Sequence, residues 1–446
     1  MDILVIISFV FSLLIFIGLI FTAIISYCEK EIKAFHKSFW TALLVGISFI
    51  YLSFNSEVFT IIFSIAFIMI SLLLLIPFGR KSFPYDDTPL GQIDERDTMF
   101  SRSELTPGTK NYIDYYELYP EKEKLDNIWR QKPGLLSRDA STYNRFQYAA
   151  ADASFVAVSH FRELVDKTPL DEPAEIEPAR ISNFIKRWAR KLGAKEVRIT
   201  KMQEYHYYSV AGRGDDYGEP VIQRHKYGIC IAVEMDHEMM SMAPKGPTVM
   251  ESAGQYMNAG VIAMQVAEFI KLLGYNARAH IDGRYQVVCP LVARDAGMGE
   301  IGRMGILMTP NVGPRVRLAV VTADIPLITD KRLLDYTMID FCIKCKKCAG
   351  ICPGNAISFD RPEVIDGVKR WQINQEKCYD FWCRIGTDCS RCVAVCPYSH
   401  PDNVLHNSVR FGIINSPLFR LAAVKMDDVL YGAKPPTKKT PPWLDI

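Results

Sequence analysis

The hydrophobic positions begin with three long apolar runs at the start of the chain. The runs cover residues 3–27, 39–54 and 58–78, and none contains a charged residue. Because a membrane-spanning helix needs about 20 apolar residues, the first and third runs predict spanning helices. The shorter second run predicts another, with Trp40 and Tyr51 at the membrane interfaces. We expect residues 1–79 to form a three-helix transmembrane anchor rather than a signal peptide, which is shorter.

The basic residues around these runs predict an orientation. Arg80 and Lys81 follow the third run, and the first loop is also basic, with Lys30, Lys33 and Lys37. The second loop contains neither Lys nor Arg. The positive-inside rule places the first loop and everything after Arg80 in the cytoplasm. We therefore predict a multi-pass protein of the inner (cytoplasmic) membrane that contacts membrane lipid.

After these runs the pattern becomes that of a globular protein. Residues 80–140 are polar and rich in Pro, Asp, Glu and Tyr, which predicts an irregular wrapping segment. Apolar spacing predicts helices at residues 146–165, 175–192 and 254–273, and strands at residues 197–199, 228–234 and 316–322. Helices interleaved with buried strands indicate an α/β or α+β domain, which we place at residues 141–335.

Composition and cysteine placement narrow the function classes. The 446 residues carry a net charge of +2, so a broad nucleic-acid surface is not expected. Of twelve cysteines, only Cys28, Cys230 and Cys289 lie outside the segment from Cys342 to Cys396. Secreted disulfide proteins are usually smaller and scatter their cysteines. This clustering therefore predicts metal or cluster ligands in a reducing compartment.

The strongest motif is C-x2-C-x2-C-x3-C-P, which is typical of bacterial ferredoxins. Its cysteines are Cys342, Cys345, Cys348 and Cys352. Three thiolates on one tight loop bind three irons of one cluster, and the fourth cysteine binds the other cluster. A zinc site would use two separated cysteine pairs. We predict a ferredoxin-like domain with two [4Fe–4S] clusters at residues 336–404.

A second, truncated motif supplies the remaining ligands. Crossed ligation predicts a first set of Cys342, Cys345, Cys348 and Cys396. The second set contains Cys352, Cys389, Cys392 and one of the upstream cysteines, Cys378 or Cys383. Spacing alone leaves the choice between these last two open.

Several segments resemble motifs of the reductive dehalogenases, which depend on a corrinoid and iron–sulfur clusters. They are the glycine-rich residues 297–317 with a G-E-x-x-R pattern, Gly212-Arg213, residues 273–277 and residues 427–432. Cys378 begins a C-x3-W pattern that is similar to one in the family and favours this cysteine as the eighth ligand. The resemblance covers residues 140–446.

The resemblance implies a nitroreductase-like domain that binds cobalamin or a related corrinoid base-off. The ferredoxin-like domain lies beside it, and residues 405–446 form a C-terminal extension. The implied reaction is reductive cleavage of a carbon–halogen bond of an organohalide at low-valent cobalt, with electrons relayed by two [4Fe–4S] clusters. Corrinoid contacts are expected at Gly297, Gly299, Gly302, Gly305, Thr309 and Pro310. For any single glycine, a turn that needs positive φ is the alternative.

The resemblance also implies a tyrosine proton donor beside a cation, which would lower the pKa of the phenol. The predicted pair is Tyr256, near the start of the predicted long helix, and Arg303. A core aromatic residue and an ion pair with Glu300 are the respective alternatives. His280 and Asp282 are candidates for the same pocket, although a surface position is the more common role for a histidine.

Other readings of the sequence stay open. Tyr207 and Tyr208 are weaker candidates for the proton donor. A corrinoid iron–sulfur reductase similar to epoxyqueuosine reductase would favour a soluble chain with a basic surface. A membrane-tethered electron-transfer protein would not need the large domain before the clusters.

The N-terminus departs from the pattern of the resembled family. Respiratory members are mostly exported and held by a separate anchor protein. Here the first arginine is Arg80, so we expect no twin-arginine export signal, and the chain carries its own anchor. The catalytic domain is therefore expected on the cytoplasmic side. A ferredoxin, a flavoprotein or a quinol remains possible as the electron donor, and the sequence does not indicate which organohalide is used.

Overall fold

The computed structural model describes residues 3–75, 86–166, 168–169, 172–332 and 336–444. In chain order, the helices are α1 (Ile3–Cys28), α2 (Ile32–Thr41), α3 (Ile47–Asn55), α4 (Glu57–Leu75), α5 (Met99–Glu104), α6 (Lys110–Leu118), α7 (Pro120–Arg130), α8 (Arg145–Ser159), α9 (Pro178–Lys191), α10 (His237–Ser241), α11 (Gly246–Leu272), α12 (Cys289–Asp295), α13 (Thr337–Cys345), α14 (Lys347–Ile351), α15 (Gln375–Ile385), α16 (Arg391–Ala394), α17 (Val404–Asn415) and α18 (Pro417–Leu430). The strands are β1 (Glu196–Lys201), β2 (Tyr227–Glu234), β3 (Ala277–His280), β4 (Glu300–Ile301), β5 (Leu307–Met308), β6 (Val316–Ala323), β7 (Glu363–Ile365) and β8 (Val368–Arg370).

The chain divides into two compact units. The first unit contains α1–α4, α13, α17 and α18. The second contains α5–α12, α14–α16 and the described strands. The predicted boundary before the cluster motifs therefore differs, because α13, with the first two motif cysteines, belongs to the first unit.

The N-terminal helices bury small polar residues and expose large apolar ones. Ser8 and Ser12 are buried, and their hydroxyls lie 2.7 and 3.1 Å from the hydroxyl of Ser53. Leu14 and Ile62 are more than half exposed. This inverted pattern is typical of helices in a bilayer, where large apolar side chains face the lipid and small polar residues allow the helices to pack closely.

Two of these helices are long and apolar enough to cross a membrane, namely Ile3–Cys28 and Ile32–Asn55. The second is longer than predicted because α2 and α3 are joined by a π-helical turn, Ala42–Gly46. Lys33 and Lys37 consequently lie inside a helix, and the first loop is only three residues long. The third apolar helix, described to Leu75, falls short of that criterion, and residues 76–78 lie outside the described residues. The three-helix anchor stays a prediction.

The second unit is built around a four-stranded sheet in the order β1-β2-β6-β3. Every pairing is antiparallel, so the α+β form of the fold prediction is the better description. Strand β6 is central and pairs Ala323 with both Tyr227 of β2 and Ala277 of β3. The predicted strands at residues 228–234 and 316–322 agree with β2 and β6 to within one residue.

The long helix α11 covers this sheet and carries a candidate site residue. It packs against β2, β3, β6 and α8, and it is buried on most of its circumference. It begins at Gly246 rather than at residue 254, with Pro247 in its first turn, where the missing N–H costs little. Tyr256 therefore lies about three turns inside the helix and not at its start.

The prediction of an irregular segment at residues 80–140 is wrong for much of its length, because α5, α6 and α7 lie there. These helices are short and polar, so hydrophobic periodicity does not reveal them. The side chains of Thr98 and Thr109 cap the starts of α5 and α6, and α7 begins with Pro120 in its first turn. Buried Arg102 bonds to Asp126 (Nε–Oδ2, 2.9 Å) and to Glu376 of α15 (Nη1–Oε1, 2.7 Å), which fixes the segment to the cluster domain.

Candidate functional site

The two C-x2-C-x3-C-P motifs share a local conformation. Lys346 and Ser390 each follow the first cysteine of a motif, and both have left-handed backbone, with φ of +56° and +50°. Each is the N-cap residue of a short helix, α14 and α16 respectively. Non-glycine residues pay a steric cost in this conformation, so both turns must be held by their surroundings. The motifs are thus a structural repeat.

Four cysteines of the second unit come together around the second motif. Burial raises the pKa of the Cys378 and Cys389 thiols to about 12, and Cys352 adds to both shifts. Burial also raises the pKa of Cys392, with contributions from the other three and from Cys348 of the other predicted set. The Ala356 N–H donates to the Cys352 sulfur at 3.3 Å. Neutral thiols are favoured here until iron supplies compensating positive charge.

The four thiols are ligands of the type that an iron–sulfur cluster uses. Among the described residues, no group of three or more His, Cys, Asp or Glu is arranged to hold one metal ion. A [4Fe–4S] cluster places each thiolate on a different iron and so holds its ligands farther apart. The four cysteines fit that larger cofactor by ligand type and by their common location.

Cys383 lies apart from this group. It follows Cys378 by five residues on α15, which places the two side chains about 140° apart around the helix. Its thiol packs with Met99, Trp129 and Tyr379 in a small buried cluster. Helix geometry therefore separates two cysteines that sequence spacing could not distinguish.

The other predicted ligand set is divided between the units. Cys348 and Cys396 are buried in the second unit. Cys342 and Cys345 lie on α13 of the first unit. The assembly of these four residues into one site stays a prediction.

A cavity of about 240 Å³ lies against the loop of the second motif. It is bounded by parts of α11, α12, α16, β5 and β6. Its lining residues are Tyr208, Met235, Tyr256, Tyr285, Val287, Cys289, Pro290, Ile306, Leu307, Pro314, Val316, Arg317, Leu318, Ser390 and Val393. Three tyrosines and one arginine thus interrupt a mostly apolar wall.

Within the cavity, Arg317 contacts Tyr256. The guanidinium carbon lies 4.6 Å from the centre of the Tyr256 ring. Arg317 also donates to Asp388 (Nη2–Oδ2, 2.8 Å) and to the hydroxyl of Ser252. Asp388 directly precedes Cys389, so a chain of contacts runs from the tyrosine to the cysteine loop.

Burial controls the protonation of these groups. It raises the pKa of Tyr256, while the positive charge of Arg317 opposes that rise. It also raises the pKa of Tyr208 and Tyr285. The three phenols are therefore protonated at neutral pH, and Tyr256 is the one in contact with a cation. Burial raises the pKa of Asp388 too, again opposed by Arg317.

Arg303 is not among the residues that line the cavity. Its Nη1 donates to the carbonyl oxygens of Ser358 (2.6 Å) and Asp360 (2.7 Å), and its guanidinium stacks on Trp371 at 4.8 Å. The structure does not bring Arg303 to Tyr256, because these contacts hold it against the cluster domain. The alternative partner, Glu300, is not bonded to Arg303 either but to Arg332, at 2.6 Å.

His280 and Asp282 also lie outside the cavity lining. His280 is fully buried, contrary to the expected surface position. Its Nε2 lies 2.9 Å from the Thr322 hydroxyl, and its Nδ1 accepts the N–H of Gln286 at 3.1 Å. The Asp282 carboxylate lies 3.4 Å from the Arg162 guanidinium.

The glycines at residues 297–317 are required by the backbone conformation of this segment. Gly297 and Gly305 have φ of +80° and +72°. A Cβ on Gly299 would lie 2.0 Å from the carbonyl oxygen of Met308. Gly302 joins the tight turn, since its carbonyl accepts the N–H of Gly305 at 2.9 Å. The turn explanation therefore accounts for these glycines better than corrinoid contact does.

Thr309 and Pro310 are the other two predicted corrinoid contacts, and the local backbone explains them as well. Thr309 closes a loop with Gly313, with N···O distances of 2.9 and 3.0 Å, and Pro310 is exposed. The same segment reaches the cavity instead through apolar side chains, namely Ile306, Leu307, Pro314, Val316 and Leu318. Apolar contact, rather than close backbone approach, is what this segment offers a ligand.

Comparison with known proteins finds relatives for parts of this chain. A family model described as a 4Fe-4S dicluster domain matches residues 341–400. The tetrachloroethene reductive dehalogenase of Sulfurospirillum multivorans is 30% identical over 307 residues, which are 60% of this chain and 60% of that protein. That of Desulfitobacterium hafniense is 33% identical over 211 residues, 45% of this chain and 38% of that protein. Over these parts the chain is similar to reductive dehalogenases.

A solved structure of a catabolic reductive dehalogenase, NpRdhA, matches with a TM-score of 0.61 and 26% identity. The match covers 79% of this chain and 49% of that chain. The same protein in complex with 3-bromo-4-hydroxybenzoic acid matches with a TM-score of 0.63 and 24% identity. This match covers 80% of this chain and 49% of that chain, and it shows that the two chains share a fold. The chain thus spans 60% or less of the length of the curated relatives and about half of the solved one.

Sequence reasoning missed Arg317, although the sequence contained a signal for it. Arg317 is a charged residue in the otherwise apolar strand β6. An ionisable residue on a buried strand requires a partner and often marks a functional site. Its neighbour Arg315 has a docking role, since Nε donates to the Ser399 carbonyl (2.8 Å) and Nη2 to Glu234 (2.9 Å).

Proposed function

We propose that this protein is a reductive dehalogenase that removes halide from a small organohalide at a corrinoid, with electrons supplied by two [4Fe–4S] clusters. The observation that carries the proposal is the chain of contacts from Tyr256 through Arg317 to Asp388, next to Cys389. A protonated phenol, a cation and a cysteine loop border one cavity. These are the groups needed to deliver a proton and electrons to the same place.

The cavity suits a corrinoid in its chemistry more than in its volume. Its apolar wall, Ile306, Leu307, Val316 and Leu318, fits the face of a flat macrocycle. None of the described lining residues is a histidine, so the lining suits base-off binding. Ligand pockets usually measure about 300–1,000 Å³. At about 240 Å³, this cavity matches a small organohalide, and we expect it to widen when a corrinoid binds.

When bound, the corrinoid supplies the low-valent cobalt at which the carbon–halogen bond is cleaved. Tyr256 donates its hydroxyl proton to the carbon that loses halide. Arg317 stabilises the tyrosinate that remains, and Asp388 holds the guanidinium in place. The apolar wall limits the access of water. The balance is R–X + 2e⁻ + H⁺ → R–H + X⁻, and solvent returns the proton to Tyr256.

The proposed cluster ligands follow the predicted crossed sets. One cluster takes Cys352, Cys378, Cys389 and Cys392, as their common location supports. The other takes Cys342, Cys345, Cys348 and Cys396, as the motif spacing supports. The helices at residues 3–75 are proposed to be part of a three-helix membrane anchor. The positive-inside rule, applied to Lys30, Lys33 and Lys37 at and just after the first loop, supports a cytoplasmic position for this loop and for the catalytic domain.

The first experiment counts cobalt and iron in anaerobically purified, detergent-solubilised full-length protein. Halide release is then followed with reduced methyl viologen as electron donor and with tetrachloroethene or 3-bromo-4-hydroxybenzoic acid as probe. We expect about one cobalt and about eight irons per chain, with halide released. Eight irons without cobalt after reconstitution with cobalamin would instead identify a membrane-tethered electron-transfer protein.

The cluster ligands have a matched pair of variants on α15. Cys378→Ser is expected to lower the iron content by up to about four irons per chain and to change the EPR signal of one cluster. Cys383→Ser should keep the full iron content, because this cysteine packs with aromatic side chains. The reverse result would make Cys383 the ligand.

A further inference from the structure

The first unit contains a second and larger cavity, of about 430 Å³. It lies between α1, α2, α17 and α18. Leu19, Met426 and Val429 contribute apolar walls, whereas Lys37, His406 and Tyr431 contribute polar groups. The volume is in the range of about 300–1,000 Å³ that is usual for small-molecule sites. Two walls of this cavity are α1 and the helix containing α2, which are the two candidate membrane spans. In the proposed membrane anchor, the cavity would therefore be open to lipid-soluble molecules.

A nearly buried histidine–carboxylate pair borders the cavity. Nε2 of His406 lies 3.1 Å from both carboxylate oxygens of Glu29, and the Asn403 side chain donates to the same carboxylate at 2.6 Å. Glu29 belongs to the loop between α1 and α2. A carboxylate in this position stabilises the protonated imidazole, so His406 is equipped to accept a proton.

Tyr431 lies beside this pair and also faces the cavity. Its ring centre is 6.3 Å from that of His406. Burial raises the pKa of Tyr431, and the negative charge of Glu29 adds to the rise. The phenol therefore remains a hydrogen-bond donor at neutral pH. A ligand with both hydroxyl and carbonyl forms would find an acceptor in His406 and a donor in Tyr431.

The wall of the cavity also contacts the helix that carries two predicted cluster ligands. Lys425, Met426 and Val429, which line the cavity, belong to α18. Helix α13, with Cys342 and Cys345, packs against α17 and α18. Arg420 of α18 bonds to Asp340 of α13 at 2.7 Å. Helix α18 thus connects this cavity with an element of the proposed electron relay.

We propose that this cavity binds and oxidises an isoprenoid quinol, so that the membrane quinol pool is the electron donor. The half-reaction is QH₂ → Q + 2e⁻ + 2H⁺. The electrons leave one at a time to the cluster bound by Cys342 and Cys345, and His406 takes the first proton. Combined with dehalogenation, the balance is R–X + QH₂ → R–H + Q + H⁺ + X⁻. The inference rests on the proposed iron–sulfur relay but not on the corrinoid.

A membrane phospholipid is the competing occupant of the cavity. It would use the apolar walls and Lys37, but it would have no use for a proton-accepting pair. Phospholipid binding would also not explain why the cavity is connected through α18 to α13, the helix that carries Cys342 and Cys345. These two features favour a redox-active ligand.

The test uses full-length, cluster-loaded protein in lipid nanodiscs. Binding of decyl-ubiquinone is titrated optically, and reduction of the clusters by menadiol is followed by EPR. We expect saturable binding and cluster reduction in the wild type. His406→Gln should slow menadiol-driven reduction by about 100-fold relative to dithionite-driven reduction, as expected when a general base is lost. Met426→Trp, which fills the cavity, should weaken binding by at least about 10-fold, since it removes the space for the ring.

The matched control is His160→Gln, at an exposed position directly after α8 of the second unit, which should behave as the wild type. Clusters that dithionite reduces but menadiol does not would overturn the quinol site. So would decyl-ubiquinone binding that Met426→Trp leaves unchanged, or a cavity that retains phospholipid against added quinone. Halide release driven by reduced methyl viologen is measured separately, so failure of the quinol site and failure of dehalogenation are distinguishable.

Discussion

Arg303 and Arg317 lie in one motif and each stack on an aromatic ring, but Arg303 is buried whereas Arg317 is only partly buried, and their surroundings differ. Arg303 bonds to backbone carbonyl oxygens and covers Trp371. Arg317 lies between the phenol of Tyr256 and the carboxylate of Asp388. Carbonyls and an indole are not acids or bases in the ordinary pH range, whereas a phenol can donate a proton and a carboxylate can accept one. The first environment fastens two segments together, and the second can respond to proton transfer.

The largest expected effect separates Tyr256 from the other phenols of its cavity. Tyr256→Phe should lower halide release by about 10²–10⁴-fold, because the proton donor is lost. Cobalt and iron contents should stay as in the wild type. The control is Tyr208→Phe, which removes a phenol of the same cavity and should have a much smaller effect. Equal losses in the two variants would remove Tyr256 from its proposed role.

Replacing Arg317 tests whether its charge acts on the phenol. Arg317→Gln should lower halide release by about 10–100-fold, since the tyrosinate loses its cation. The reaction needs protonated Tyr256, so activity falls as pH rises through the pKa of this phenol. Arg317 opposes the raised pKa, so its removal should move this alkaline fall to higher pH. Arg317→Lys should restore the position of the fall in part. An unshifted profile in Arg317→Gln would contradict the electrostatic role.

Replacing Arg303 tests whether this arginine has a structural role rather than a catalytic one. Arg303→Gln leaves the carbonyls of Ser358 and Asp360 without their guanidinium donor and should lower the free energy of unfolding by about 2–3 kcal/mol. Thermal unfolding measures this loss, and halide release per bound cobalt should stay near the wild-type value. Loss of turnover without loss of stability would instead return Arg303 to the catalytic role that the sequence predicted for it.

The smallest effect concerns Glu95, a buried acid held by a backbone N–H rather than by an arginine. Burial raises its pKa to about 7, partly opposed by the N–H of Gly212 (2.8 Å). Between its ordinary pKa and pH 7, the folded state binds a proton that the unfolded state lacks. The free energy of unfolding should therefore fall by about 1–2 kcal/mol as pH rises from 5.5 to 8. Glu95→Gln should remove this dependence from thermal unfolding curves. An unchanged dependence would assign it to other groups.

Periodic apolar patterns predicted the elements that bury one consistent face. Strands β2 and β6 and helix α9 lie close to their predicted bounds for this reason. The start of α11 was missed because the residues from Gly246 to Glu251 pack on several sides and show no amphipathic rhythm. The helices between residues 99 and 130 were missed because their polar composition hides them and only their caps mark them.

The candidate site was predictable where the residues are close in sequence. Motif spacing alone grouped the cysteines, although helix geometry was needed to separate Cys378 from Cys383. The predicted cation was Arg303, whereas Arg317 contacts Tyr256. That contact depends on how β6 lies against α11, and the sheet register that fixes it comes from residues far apart in sequence. No local pattern carries such information.

The central place of β6 constrains the order in which the protein can be made. Strands β2 and β3 both pair with β6, and neither has its full set of partners until Ala323 has left the ribosome. By then the N-terminal helices have long been synthesised. Pairings between distant residues form slowly, and unpaired apolar strands invite aggregation in the meantime. We therefore expect the nascent domain to stay incompletely folded while it is attached to the ribosome. The corrinoid should bind only after translation has passed β6.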